Sequence, residues 1–368
     1  MGSASSTTSN LSRESHTTPA ISVLMATYNG ERFLRPAIES ILNQTFTNFE
    51  LIIIDDGSTD NTPRILSEFN DTRLTVLTNQ QNLGIAAATN RGLAATRGEY
   101  IALQDHDDIS LPHRLQTQLN FLNTHPEIAL VGSATELIDE NGIAYDNYRE
   151  PENDIELKWE ALFRCPISHT SVMVRRRVMS EIGGYSPDPA LKVASDYDLL
   201  SRILMRHRAV NLTRPLVKWR RHPGASMNTN EPQLQRGIES VSLRNLGVLR
   251  NGCSDRDADW EYLCLGSRAF LCTPADLLPV LLPEQVICGL RFLRGIQKIF
   301  CQTYDCSQSA AAPLRRRLSW TWGKHAVALA VRSHWDWRSR ARISVLGIRC
   351  FLSAAWWSTV EVGGREQR

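Results

Sequence analysis

The sequence predicts an α/β fold built on a mainly parallel sheet, and three observations carry that expectation. Strand-like runs alternate with helical runs of about 10–15 residues, the pattern of βαβ units. The strand-like runs are continuously apolar, which suits strands buried on both faces. Two of them end in clustered acids, Asp55-Asp56 after Leu51-Ile52-Ile53-Ile54 and Asp105-His106-Asp107-Asp108 after Tyr100-Ile101-Ala102-Leu103. The carboxyl ends of strands are where open α/β sheets bind their ligands.

The first strand is the apolar run Ile21 to Ala26, which passes into a turn at Thr27-Tyr28-Asn29-Gly30. From Glu31 to Asn43, Phe33, Leu34, Ala37, Ile38, Ile41 and Leu42 recur at helical spacing. Leu51 to Ile54 is the second strand, Asn61 to Phe69 a helix, and Leu74 to Leu77 the third strand. The alanine-rich stretch Gly84 to Arg97, led in by Asn82-Leu83-Gly84, is a helix that delivers the chain to the strand at Tyr100. After a helix from Pro112 to Asn123, Ile128 to Ile138 and Ile143 to Tyr148 flank an Asn141-Gly142 turn, a hairpin signal. A helix near Ile155 to Phe163, a short strand Thr170 to Val174 and a tight turn at Gly183-Gly184-Tyr185 follow. The last elements are a helix from Ser195 to about His207 and a strand from Leu216 to Arg220.

Composition bounds the function. The chain has 368 residues, 42% apolar and 22% charged, enough for one large globular domain and a smaller one. A formal net charge of +2 gives no global attraction to nucleic acid. The 8 cysteines show no paired short spacing, and Cys165 alone lies in the first 250 residues, which argues against a zinc module or disulfide framework and suits a reducing compartment. Residues 1–18 are rich in Ser and Thr without an apolar core, so a disordered lead-in is expected there. No run of about 20 apolar residues occurs, so no transmembrane helix is expected. Residues 19–230 form the expected catalytic domain and 231–368 a helical region, basic and Trp-rich.

The acids carry the chemistry. Like charges gathered at a strand end repel one another unless a cation shares the site. Asp105 and Asp107 converge on a ligand if the backbone turns between them, and Mg²⁺ or Mn²⁺ held there favours oxygen ligands and substrate phosphate. His106 is either a further ligand or an intervening residue that points away. Asp56 precedes Gly57, where a backbone can turn and let a ligand approach. The plain alternatives are a solvated acidic loop at Asp105–Asp108 and helix capping or turn formation at Asp55 and Asp56.

Ser22-Val23-Leu24-Met25-Ala26-Thr27-Tyr28-Asn29-Gly30, Asp55-Asp56-Gly57-Ser58-Thr59-Asp60 and Asn82-Leu83-Gly84 resemble, in order and spacing, glycosyltransferase family 2. The strand with Asp105-His106-Asp107-Asp108 is similar to that family's DxD motif. The resemblance covers roughly residues 20 to 230 and implies a GT-A fold, a Rossmann-like nucleotide-binding half joined to an acceptor-binding half. It implies an inverting hexosyltransferase that moves a sugar from a nucleotide-diphosphate donor to a hydroxyl acceptor with a divalent cation, Mg or Mn.

The same resemblance implies roles for single residues. Thr27, Tyr28, Asn29, Asp56 and Asn82 line the nucleotide pocket, Asp105 lies near the ribose or sugar, and Asp107 binds the metal. His169-Thr170-Ser171-Val172-Met173 is similar to the segment beneath the acceptor site, and Gly183-Gly184-Tyr185 precedes the catalytic acid by the expected interval. Ser195-Asp196-Tyr197-Asp198-Leu199 matches the catalytic motif with Ser195 in place of an acid, leaving Asp196 as the base. Ser195 is also placed to cap the following helix, and a helix N-terminus helps keep Asp196 ionised. Trp219-Arg220-Arg221-His222 resembles a late aromatic-Arg-x-His segment, with Arg220 assigned to the donor diphosphate and His222 to the metal. A basic strand end in solvent is the plain alternative there.

From Arg315 to Arg342, basic residues interleave with Trp320, Trp322, Trp335 and Trp337. That pattern fits a membrane interface, a protein partner or packing on the catalytic domain. The expected setting is cytoplasmic, in cell-surface polysaccharide or glycolipid assembly, with peripheral contact at the inner face of the membrane and no nucleic-acid partner. Two rival functions remain at this level. A sugar nucleotidyltransferase opens on a Gly-rich basic phosphate loop that Ala26-Thr27-Tyr28-Asn29-Gly30 lacks, and a degenerate transferase acting as a scaffold has Ser195 as its support.

Overall fold

The structure, a computed structural model, describes residues 18–225, 231–249 and 296–304. The Ser/Thr-rich lead-in through residue 17 and the Arg- and Trp-rich stretch 315–342 lie outside the described residues.

The described elements run β1 (Ile21–Thr27), α1 (Leu34–Leu42), β2 (Phe49–Asp55), α2 (Thr62–Ser67), β3 (Leu74–Thr78), α3 (Ile85–Ala95), β4 (Tyr100–Leu103), β5 (Ile109–Ser110), α4 (Arg114–Thr124) and β6 (Ile128–Ile138). They continue with β7 (Ala144–Tyr148), α5 (Asp154–Glu160), a 3₁₀ turn (His169–Ser171), β8 (Met173–Arg175), α6 (Arg176–Ile182), a second 3₁₀ turn (Pro189–Leu191), α7 (Ser195–Leu204), β9 (Arg208–Arg220) and α8 (Glu231–Gly247).

One sheet collects all nine strands in the order β3-β2-β1-β4-β8-β6-β9-β5, with β7 paired to β6. The β3-β2-β1-β4 half is parallel throughout; β2, β1 and β4 are buried, and β3 is the partly exposed edge. Alternate residues serve opposite faces. Ile21, Val23, Met25, Leu51 and Ile53 face α1 and α4 through Leu34, Ile38, Ile41, Leu115 and Leu119. Leu24, Ile52, Ile54, Ile101 and Leu103 face the other side, with Ala88, Leu157, Val178, Leu199 and Ile203.

Register decides where the strands end. Thr27 lies opposite Asp55, Thr78 also lies opposite Asp55, and Leu103 lies opposite Leu24. The carboxyl ends of these four strands therefore open on one edge. The direction then reverses: β4 pairs antiparallel with β8, which brings the 3₁₀ turn at His169 beside the end of β4. Antiparallel pairing of Ile109 with Lys218 and Ser110 with Val217 brings the end of β9 to the acidic turn.

Two elements differ from expectation. The strand expected at Thr170–Val174 begins as a 3₁₀ turn, because the Ser171 hydroxyl and backbone N–H both donate to the Ser168 carbonyl and hold the chain in a local loop. The last strand starts at Arg208, not Leu216; it accommodates Pro215 at a register shift opposite Ala134. The two-residue β5 and the helix α6 were not anticipated.

Candidate active site

The loop after β1 and the loop after β2 are sewn together. Asn29, in the left-handed region at φ 50°, donates its N–H to the Ser58 hydroxyl and accepts from the Thr59 N–H through Oδ1 at 2.9 Å. The Gly30 N–H donates to Thr62 Oγ1, and the Glu31 N–H to Asp60 Oδ2. Tyr28 stands exposed at the rim, whereas Thr27 is buried and its hydroxyl makes no hydrogen bond among the described residues.

Asp56 is buried and fully engaged. Oδ1 accepts from Asn79 Nδ2 at 2.6 Å and from the Leu83 N–H at 3.0 Å; Oδ2 accepts from the Gly84 N–H at 2.8 Å. A carboxylate whose lone pairs receive main-chain N–H groups fixes a loop, here the Asn82-Leu83-Gly84 lead-in to α3. Gly57 permits this packing: at φ +75° its Cα faces the Gln81 backbone, and a Cβ there would lie 2.8 Å from the Gln81 carbonyl carbon. Asn82 itself is exposed beside this turn.

The four residues Asp105 to Asp108, separated from the end of β4 by one position, diverge. Asp105 Oδ1 accepts from His169 Nδ1 at 2.9 Å, and His169 Nε2 meets Tyr185 Oη at 2.6 Å. Asp107 Oδ2 lies 3.0 Å from His222 Nε2. Asp108 is buried and accepts the Arg220 N–H at 2.7 Å. His106 covers Gly30, where a Cβ would lie 2.8 Å from its ring.

Beneath them sits Arg114, with no exposed surface. Its guanidinium donates to Gln118 Oε1, Gln104 Oε1, Ser110 Oγ and the carbonyls of Leu103 and Val172. It is a buried counter-charge to Asp105 and Asp108. Burial pushes the Asp108 carboxyl well up, and the charges of Asp107 and then Asp105 add to the shift. Burial acts the same way on Asp107, but the His222 hydrogen bond and the charges of His106 and His222 outweigh it and hold that carboxyl below its ordinary range.

Asp196 lies in the first turn of α7, half-buried, with Oδ1 accepting from the Tyr197 N–H at 2.7 Å. Burial raises its pKa; His169 pulls against the shift and Asp105 adds to it. The N-cap position of α7 is Ala194, which makes no side-chain cap bond, and Ser195 is the first helical residue. Ser195 is therefore not the cap expected of it. Asp198 turns away from the site and is held by Arg202 at 2.7 Å and by Arg244 of α8. Gly237 of α8 lets that helix press on the loop before α7, since a Cβ there would lie 2.9 Å from Ala194 Cβ.

The strand-end geometry thus gathers Thr27, Asn29 and Asp56 on one side, Asp105 at the centre and Asp107 with His222 on the other. Arg220 is anchored by main-chain carbonyls. Its Nε donates to the Asp107 carbonyl at 2.8 Å and Nη1 to the carbonyls of Asp139 and Glu140, with Phe33 stacked on the guanidinium. These bonds tie the end of β9 to the acidic turn and to the β6–β7 connection. Arg114, Asn79 and Asn90 join the site without having been singled out for it, and Tyr185, named only within the turn before the catalytic acid, joins them through His169. Arg114 had a visible signal, a basic residue on the face shared with Leu115, Gln118, Leu119 and Leu122.

The model of glycosyl transferase family 2 matches residues 22–183. The putative glycosyltransferase EpsE of Bacillus subtilis is 36% identical over 208 residues, covering 55% of this chain and 73% of that protein. This chain belongs to glycosyltransferase family 2. An uncharacterised glycosyltransferase of Methanocaldococcus jannaschii, MJ1057, is 34% identical over 191 residues, 50% of this chain and 65% of that protein. The structure of S. aureus TarS 1–349 in complex with UDP-GlcNAc superposes with a TM-score of 0.54 at 18% identity, covering 91% of each chain. At that identity the likeness shows the GT-A fold of this family 2 enzyme.

Among the described residues no group of three or more His, Cys, Asp or Glu is arranged around one point to hold a metal ion. Asp107 and His222 alone fit a partial site, because Mg²⁺ and Mn²⁺ commonly complete their shells with water and substrate phosphate.

Proposed function

We propose that this family 2 glycosyltransferase is an inverting hexosyltransferase that moves a sugar from a nucleotide-diphosphate donor to a hydroxyl acceptor in cell-surface polysaccharide or glycolipid assembly. One observation carries the reading. Asp105, just after a donor-side strand, accepts from His169 Nδ1 at 2.9 Å, and Asp196, in the first turn of α7, adds its charge to the field at that same imidazole. Inversion needs one base on the acceptor side of the anomeric carbon, opposite the leaving diphosphate, and Asp196 is the carboxylate assigned to it here.

In this reading Thr27, Tyr28 and Asn29 meet the nucleotide, Asp56 shapes the pocket through Asn82-Leu83-Gly84, and Asp105 meets the ribose or sugar. The acceptor oxygen attacks the anomeric carbon from the face opposite the diphosphate, and its proton passes to the Asp196 carboxylate. The bond from the anomeric carbon to the phosphate oxygen breaks, and the nucleoside diphosphate leaves with the electron pair. A positioned base of this kind contributes on the order of 10²–10⁴ in rate. A divalent cation held by Asp107 and His222, when bound, offsets the charge of the departing diphosphate.

The test is a screen of nucleotide sugars with Mg²⁺ or Mn²⁺, detecting released nucleoside diphosphate with and without acceptor glycans. Asp196→Asn is expected to bind donor and lose transfer, and Asp107→Asn to lose cation-dependent turnover. Release of pyrophosphate from a nucleoside triphosphate and sugar phosphate would instead identify a nucleotidyltransferase. Donor binding with no turnover on any acceptor would identify a scaffold. We also place the chain in the cytoplasm against the inner face of the membrane through residues 315–342. Failure of the full chain to sediment with anionic vesicles refutes that placement.

A further inference from the structure

His169 is gripped at both ring nitrogens. Nδ1 faces Asp105 Oδ1 at 2.9 Å, and a carboxylate only accepts, so Nδ1 carries a hydrogen. Nε2 faces Tyr185 Oη at 2.6 Å. A neutral ring accepts there from the tyrosine hydroxyl; a charged ring donates to it. The hydroxyl satisfies both states, so the ring orientation is the same in either.

The tyrosine is itself immobile. Its ring is buried, and Asn90 on α3 clamps its backbone from both sides: Asn90 Oδ1 accepts from the Tyr185 N–H and Nδ2 donates to the Tyr185 carbonyl, each at 2.9 Å. Gly184, at φ +69°, makes room for that clamp, since a Cβ would fall 2.5 Å from Asn90 Oδ1. A rigid line therefore runs from α3 through Tyr185 and His169 to Asp105.

We propose that His169 is a positioning residue that holds the Asp105 carboxylate in one orientation toward the donor, with Tyr185 and Asn90 as its backing. Asp105 needs such a hold. Its side chain is 31% exposed, it lies in the turn after β4, and the Asp107 and Asp196 carboxylates share its sign of charge. Arg114 lies below and attracts it through space but spends its hydrogen bonds on other groups. The hydrogen bond that fixes Asp105 comes from His169. Burial disfavours the charged ring, while Asp105 and Asp196 together outweigh that and favour it.

This role rests on the donor assignment of Asp105, so the test has one arm that needs no donor. In the ligand-free full chain, proton NMR is expected to show the His169 Nδ1–H as a downfield resonance slow to exchange, removed by Asp105→Ala. A freely exchanging ring in the wild type overturns the proposal, whether or not the protein is a transferase. The second arm uses UDP-N-acetylglucosamine and GDP-mannose as probes with Mn²⁺, at a pH where the wild-type rate is constant. For whichever probe binds, His169→Ala is expected to raise the dissociation constant and donor KM on the order of tenfold, with kcat within about threefold. His169→Asn, which keeps an amide donor near the Nδ1 position, is expected to recover most of the loss. Tyr185→Phe should fall between them, and thermal melting checks that each variant folds. A loss confined to kcat at unchanged donor KM, or no rescue by asparagine in a folded variant, overturns the role. If neither probe binds the wild type, that counts against the donor reading, and the NMR arm still decides the hold on Asp105.

Discussion

Replacing Arg114 by methionine tests whether the acidic turn is held from below. The guanidinium touches β4 through the Leu103 carbonyl, β5 through Ser110, the approach to β8 through the Val172 carbonyl, and Gln104 and Gln118 through their side-chain oxygens. Methionine fills similar volume but donates nothing, so two main-chain carbonyls and two amide oxygens lose a charged partner inside the protein. Breaking a buried charged network from one side typically costs 3–5 kcal/mol, against a total stability of about 5–15 kcal/mol. With a loss of about 4 kcal/mol and a slope of about 2 kcal/mol per M, the urea midpoint falls by about 2 M. Arg114→Lys keeps the charge without the planar fork and is expected to recover less than half of that. The assay is urea unfolding followed by circular dichroism on wild type and both variants. A methionine variant within about 0.5 M of the wild-type midpoint would refute the account, because a network worth so little could not hold the turn.

Three further outcomes are expected. Asp56→Asn places an amide N–H₂ against the Leu83 and Gly84 N–H groups, so it should lose about 2–3 kcal/mol in urea unfolding, and donor affinity by calorimetry should fall with it; equal stability would mean that the loop does not lean on Asp56. Gly237→Ala gains up to about 1 kcal/mol of helix propensity yet pushes α8 against Ala194, two positions from Asp196. Its melting temperature should hold while kcat drops several-fold, and an unchanged kcat refutes the coupling. Asp196 works as a base only when ionised, and burial raises its pKa. The acid limb of the kcat–pH profile should therefore lie above the range of an exposed aspartate, with activity lost as pH falls through it; a limb at or below that range contradicts the placement.

The parallel half of the sheet was legible because β1, β2 and β4 are apolar runs buried on both faces, while β3 is the exposed edge strand of the set. The same logic located α7, and with it Asp196. What was hidden depends on contacts between distant segments. Asp198 sits in the same motif as Asp196 and looks equivalent in sequence, yet Arg202 and Arg244 draw it into the α7–α8 packing. Arg220 reads as a phosphate ligand by residue type, and nothing in the sequence shows that the carbonyls of Asp107, Asp139 and Glu140 converge on it from two loops far apart in the chain. The front of β9 was obscured by Asn211 and Pro215, which resemble turn residues. Asn211 instead bonds the Pro151 and Pro166 carbonyls through Nδ2, and Pro215 falls at the register shift. Ser195 is a good cap by type, but the helix starts one residue earlier than a cap there would allow.

β6 runs alongside β8 at its start, alongside β7 at its end and alongside β9 along its length. It acts as a beam along the half that carries Arg220 and His222. That half is joined to the half that carries Asp105 through β8, and bending the molecule between them would break its pairing with β4 and β6 in mid-sheet. Access to the cleft is thus left to its rims, where Tyr28 and Leu83 stand exposed. Small-angle scattering with and without a bound sugar nucleotide should show a radius of gyration that barely changes.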